Sequence, residues 1–159
     1  LVGVTPNLLI ANPKEEAKTV KDIVALCKAK PGQVSFGSAG NGSAQHLALE
    51  LFKLQAKVEV VRLMNWQVAW EATHGVLDIG HSSAPKVYGS QLNMEGYQLL
   101  MEILGPVSYL EPDAPGAVLK SRIQQGTRGA IILAFGGGVN EMQRDLISQF
   151  TLGFPRADR

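Results

Sequence analysis

From Arg62 onward the apolar residues recur at helical spacing and no stretch reads as a strand, which limits this part of the chain to helices packed on helices. Leu63, Trp66 and Trp70, with Met64 and Val68, form a wide apolar face. Leu92 to Leu104 is apolar nearly all round, which predicts a helix buried among others. Leu119, Ile123, Ala130 and Leu133 mark a third helix after Pro115-Gly116. Met142, Leu146, Ile147 and Phe150 mark a fourth, with Asn140 as its cap and Gly153-Phe154-Pro155 as its stop. Trp66 and Trp70 share one helical face and read as core or interface anchors rather than a base-stacking platform.

The first sixty residues follow a different grammar. Short apolar runs at Leu8-Leu9-Ile10, Val34-Ser35-Phe36 and Val58-Glu59-Val60-Val61 predict three strands. Between them lie two helical patterns. The first follows Thr19 and places Val20, Ile23, Val24 and Cys27 on one stripe, with Asp22 completing a capping box and Pro31-Gly32 ending the helix. The second is capped by Ser43 and carries Leu47, Leu51 and Leu54. The expectation is an α+β chain: a small βαβαβ fragment over residues 1–60, then a mostly helical, bundle-like domain over 61–159.

Charge excludes several partners. Fifteen Lys and Arg against fourteen Asp and Glu leave a formal charge of +1, and the charges are interspersed, so neither nucleic acid nor an anionic membrane is expected to bind. No run approaches the roughly 18 apolar residues of a membrane span. The single cysteine, Cys27, cannot form an internal disulfide and reads as a small buried hydrophobe. His46, His74 and His81 lack the spacing of a zinc helix, so no metal site is expected. No GxSxG elbow is present. The chain opens on Leu1 with no visible signal peptide, which reads as a fragment.

Gly37 to Ser43 carries the string GSAGNGS from a strand pattern into a helix pattern. Its GxxxxG spacing imitates a phosphate loop without the lysine, which excludes a nucleoside triphosphate. Helix-start N–H groups with Ser38, Gly40, Asn41, Gly42 and Ser43 suit a small carboxylate; the same string also serves as a plain strand-to-helix turn. The stretch TVKDIVALCKAKPGQVSFGSAGNGSAQHLALELFK resembles the tripartite tricarboxylate transporter receptor family, periplasmic solute-binding proteins of the TctC or Bug type, within a match over about residues 4 to 60. The resemblance implies that the Ser38 to Ser43 loop holds a solute carboxylate, with a nearby role open to His46. It stops where the family continues His-Pro-Tyr-Lys-Gly and this chain reads Val61-Arg62-Leu63-Met64-Asn65.

Three further motifs resemble a second family. RLMNWQVAW (Arg62 to Trp70), SSAPKVYGSQ (Ser82 to Gln91) and FGGGVNEMQRDLISQFTLGFPR (Phe135 to Arg156) stand in the order of the acyl-CoA dehydrogenase C-terminal domain, covering about residues 59–159. That family uses FAD to take two hydrogens from an acyl-CoA, a carboxylate removing the α proton and the flavin accepting the β hydride. The resemblance implies oligomerisation through these helices, with itself or with a partner dehydrogenase subunit. It places Glu102 and Gly105 where a glutamine and a glycine contact the flavin nucleotide of the neighbouring subunit, with Pro106 replacing a second glycine. It places Gly138, Val139 and Glu141 in the flavin-contacting run, Val139 replacing a threonine. Gly137 stands where many members carry the catalytic glutamate, so no catalytic residue is assigned to this chain.

The two resemblances imply a chimera joined near Glu59. Its leading function is the flavin-contacting, oligomerising part of an FAD-dependent acyl-CoA dehydrogenase that is inactive alone. The alternatives are a small-carboxylate binding module and a structural self-association domain. A cytoplasmic location follows if the dehydrogenase part dominates, a periplasmic one if the solute-binding part does.

Overall fold

The computed structural model describes residue 8, residues 10–15 and residues 17–156. Leu9, in the middle of the first expected strand, lies outside the described residues, as do residues 4–7, where the solute-binding resemblance begins. The chain divides into two compact units, Leu1–Leu51 and Phe52–Arg159.

In the first unit α1 spans Val20–Ala29 and starts on the capping box that its sequence predicts. Thr19 Oγ1 accepts from Asp22 N at 3.2 Å, and the Asp22 carboxylate accepts from Thr19 N at 2.8 Å. The Thr19 hydroxyl and the Lys18 and Thr19 amides hold the Asp22 carboxyl below its ordinary range. No residue of α1 is buried, and Cys27, expected inside, is exposed.

The βαβαβ fragment does not form. No residue among those described is in a strand. Val34 to Phe36 run as irregular chain, with Val34 and Phe36 exposed. Val58 to Val61 lie inside a helix, α2, Ala44–His74. A strand persists only beside another strand, and none is present to pair with residues 34–36. The β-branched run at 58–61 yields to side-chain packing along α2, because strand propensity is weak against tertiary context.

The second unit is built around α3, Ile79–Leu104. From residue 52 onward α2 lies antiparallel to it. Leu54 covers Gly96 and Val61 covers Gly89, one heptad apart on each helix, while Lys57 pairs with Glu95 at 2.6 Å. On its other sides α3 packs against α4, Arg122–Ile132, against α5, Asn140–Leu146, and against the π-helical turn Ile147–Thr151. Two glycines make those contacts close. A Cβ on Gly126 of α4 would lie 2.2 Å from the Tyr97 ring, and one on Gly80 would lie 1.8 Å from Thr151 Oγ1.

All four expected helical segments are present, with shifted ends. The Leu92–Leu104 stretch is the second half of α3, so the SSAPKVYGSQ motif lies in the same helix, with Pro85 inside it. Leu119 sits in a separate 3-10 turn, Val118–Ser121, ahead of α4. Asn140 does not cap α5: Val139 holds the cap position and Asn140 is the first helical residue. The apolar core consists of Val87, Leu92, Met101 and Ala130, whereas Leu63, Trp66 and Trp70 are exposed. Trp70 stacks on His74, with ring centroids 4.3 Å apart, and Arg62 lies 5.5 Å over the Trp66 ring. Among the described residues no helix is long and apolar enough to cross a membrane.

Candidate functional site

The α4–α5 turn holds the residues expected against a flavin. Gly137 and Gly138 adopt φ of +71° and +95°, a left-handed pair that turns the chain sharply out of α4. Gln143 folds back over the turn and its Nε2 donates to Gly137 O at 3.2 Å. That amide would lie 2.7 Å from a Cβ on Gly138, so a side chain there must push Gln143 aside, and the positive φ of Gly138 is what favours glycine. Glu141 lies in the first turn of α5, where the helix dipole favours an anion, and pairs with Arg144 at 3.6 Å.

Lys86, a residue that sequence reading passes over, closes this turn from beneath. Its ammonium donates to Ala134 O at 3.1 Å, to Asn140 Oδ1 at 2.7 Å and to Gly138 O. Asn140 Nδ2 donates in turn to Ser90 Oγ at 2.9 Å, and Ser90 Oγ donates to Val87 O at 3.0 Å. Ser90 and Asn140 are buried. The available signal was one lysine inside the otherwise uncharged stretch Ile79–Met94 apart from His81.

Glu102 and Gly105 stand at the other end of α3. They line an open cleft of about 500 Å³ with Gln98, Met101, Pro106 and Tyr109. Gly105 has φ +61° and open space where a side chain would project. Sixteen residues separate Lys86 from Glu102, about 24 Å along the helix axis. The two expected flavin-contacting groups therefore sit well apart along one helix and are not brought together within the chain.

Charge decides how these residues suit a flavin nucleotide. The Glu102 cleft carries a carboxylate and no cation among its lining residues, so a diphosphate is repelled there. At the turn Val139 supplies no hydroxyl. The Glu102 cleft by itself offers no cation to the diphosphate of FAD.

In the Gly37 to Ser43 turn, three backbone donors are already engaged. Gly40 N donates to Ser38 Oγ at 3.4 Å, Gly42 N to His46 Nδ1 at 3.3 Å and Ser43 N to Gly40 O at 3.2 Å. Ser43 Oγ accepts from His46 N at 3.2 Å, which is the cap its sequence predicts. His46 lies 3.8 Å from Glu50.

A second polar cluster went unread in the sequence. Glu71, buried near the end of α2, accepts from Gln67 Nε2 at 2.9 Å, His81 Nδ1 at 2.8 Å and Asp78 N at 3.4 Å. Asp78 caps α3 through His81 N at 2.8 Å and accepts from Thr151 Oγ1 at 2.6 Å. Both carboxyls are held below their ordinary range, Glu71 chiefly by Gln67 and Asp78 chiefly by Thr151. Among the described residues no group of three His, Cys, Asp or Glu could hold a metal ion.

Comparison with known proteins bears on the whole second unit. The profile of the acyl-CoA dehydrogenase C-terminal domain matches residues 33–152. The chain belongs to the acyl-CoA dehydrogenase family. Acyl-CoA dehydrogenase FadE26 of Mycobacterium tuberculosis is 44% identical over 120 residues, 73% of this chain and 30% of that protein. Among solved structures, the ChsE4-ChsE5 complex from Mycobacterium tuberculosis is 40% identical with a TM-score of 0.65, over 75% of this chain and 30% of that one. The Tcur3481-Tcur3483 steroid ACAD is 31% identical with a TM-score of 0.66, over 86% of this chain and 33% of that one. The chain thus spans under a third of the length of the curated dehydrogenases it matches. The other resemblance is short: Protein BugT of Bordetella pertussis is 42% identical over 55 residues, 35% of this chain and 17% of that protein. The acyl-CoA dehydrogenase match begins at residue 33, and α2 runs unbroken through Glu59, where the sequence suggests a join.

Proposed function

We propose that this chain supplies the C-terminal, flavin-contacting and subunit-contacting helices of an FAD-dependent acyl-CoA dehydrogenase, and that it does not dehydrogenate an acyl-CoA by itself. The observation that carries this reading is the pairing of a family match over residues 33–152 with glycine at position 137. Glycine has no group to take the α proton, so the base comes from elsewhere. The partner in this reading is a dehydrogenase subunit that holds most of the cofactor and provides the cation its diphosphate needs. Relatives solved as two-protein assemblies support such a partner. So do the exposed Leu63, Trp66 and Trp70 on α2 and Phe150 and Phe154 near the C-terminal turn, apolar side chains of the kind that subunits cover. An acyl-CoA carrying a steroid side chain is the substrate class to try first, because one of those relatives is a steroid enzyme.

In this reading Glu102 and Gly105 meet an uncharged part of the neighbour's flavin nucleotide, while Gly138, Val139 and Glu141 face a flavin well apart from them along α3. The test is reconstitution. The purified chain is expected to be colourless with FAD alone and to acquire flavin absorbance only with a partner dehydrogenase subunit. Dehydrogenation by the chain alone would refute the reading, and so would failure to bind any such subunit.

The 55-residue likeness to BugT favours a second reading, in which residues 1–60 come from a solute-binding lobe and Ser38, Gly40, Asn41, Gly42 and Ser43 hold a small carboxylate. Binding then requires Gly40, Gly42 and Ser43 to exchange their internal bonds for the ligand. Calorimetric titration with dicarboxylates decides it: no heat, with no difference on Ser43→Ala, ends this reading.

A further inference from the structure

We propose that Lys86 is the positioning residue of the glycine turn, a half-buried cation on which the Ala134–Asn140 segment is folded. This deepens the reading above, because the same turn carries Gly138 and Val139. An ammonium has three donors, and here they are directed at three uncharged oxygens from three points of the turn: Ala134 O, Gly138 O and Asn140 Oδ1. The Ala134 carbonyl lies just past the C-terminus of α4, where the helix dipole favours a cation. Ala134 O also accepts from Asn140 N at 3.1 Å, so the segment closes on itself with its oxygens facing Lys86. Without the ammonium, Gly138 O loses its lysine donor, and Ala134 O and Asn140 Oδ1 keep only Asn140 N and Ser90 Oγ, so the turn forfeits three charge-assisted hydrogen bonds.

The arrangement fixes direction as well as position. With Gly138 O held inward, the trans peptide that follows points Val139 N–H the opposite way, away from Lys86. The backbone at 138–139 is thereby presented outward at the place where this chain has lost the family's threonine hydroxyl. Asn140 locks the arrangement from the α3 side through buried Ser90. Lys86 acts on that face only through the turn, which makes it a positioning residue and not a catalytic one.

The experiment compares the full chain with Lys86→Met, Lys86→Arg and Ser90→Ala by amide hydrogen exchange. The reporters are Gly136 N, bonded to Ile132 O at 2.9 Å, and Asn140 N; Ile23 N, bonded to Thr19 O in α1, is the reference. Lys86→Met is expected to speed exchange at Asn140 at least about tenfold while Ile23 is unchanged. Lys86→Arg is expected to restore much of the protection, and Ser90→Ala to have an intermediate effect. Unchanged exchange at Asn140 in Lys86→Met overturns the proposal. So does a uniform acceleration of all amides that arginine does not reverse, since that reports a fold defect rather than a turn defect. In a flavin-bearing assembly the same Lys86→Met change is expected to shift the visible flavin band. A parent chain that never acquires flavin sinks the functional reading and leaves the exchange result standing.

Discussion

At Gly137 and Gly138 the same left-handed backbone has two different surroundings. A Cβ at Gly137 meets open space, so Gly137→Ala carries only the backbone penalty, about 1 kcal/mol. A Cβ at Gly138 meets Gln143 Nε2 at 2.7 Å, so Gly138→Ala also displaces the amide that caps Gly137 O. Urea denaturation is expected to rank Gly138→Ala below Gly137→Ala, and equal midpoints would contradict the role given to Gln143. Glu71 and Asp78 set the behaviour in acid. Their folded-state carboxyls lie below the ordinary range, so their contribution is complete above about pH 4 to 5 and is lost as pH falls through the lower folded values. Melting temperature is therefore expected to fall on acidification below about pH 4. Glu71→Gln should melt lower than the parent at pH 7 and show a shallower acid dependence.

Among the elements, α1 and α3 mark the two extremes of support. With no buried residue, α1 depends on its capping box, and Thr19→Ala removes about 1 kcal/mol from a helix with little else to hold it. Loss of helical exchange protection at Ile23, with α3 unaffected, is the expected result. By contrast α3 is held on several sides and tolerates an internal proline, but it fits its neighbours through notches. Gly126→Ala forces a methyl against the Tyr97 ring and is expected to cost about 1–3 kcal/mol and to loosen α4 from α3, read as a lower urea midpoint. Helices were legible here because the apolar spacing persists over whole turns. Their ends were not, since Asn140 has the chemistry of a cap but is drawn inward by Ser90 and Lys86.

For the molecule as a whole, α2 decides where the chain can be cut. Removing residues 1–43 leaves α2 whole. Removing residues 1–61 deletes Leu54, Val58 and Val61, two of which cover Gly96 and Gly89 of α3, and bares the apolar wall they share with Leu92 and Leu100. The fragment 44–159 is expected to retain a cooperative thermal transition by circular dichroism, and 62–159 to melt at lower temperature or aggregate. Equal stability would mean that the first half of α2 contributes nothing to the second unit.

The sequence by itself determined the helical second unit and its family, because periodic apolar residues and the three motifs at 62–70, 82–91 and 135–156 are local patterns that need no partner to be read. It also determined both helix starts at Thr19 and Ser43, where a hydroxyl satisfies an amide three residues on. Only the tertiary structure decided against strands at 34–36 and 58–61, because pairing depends on a neighbour that no local pattern can guarantee. It alone placed Lys86 under the glycine turn, 48 to 54 residues away in sequence, and set Glu102 and Gly138 well apart along one helix. Those placements follow from how α3 meets α4 and α5, a matter of packing that spacing along the chain does not encode.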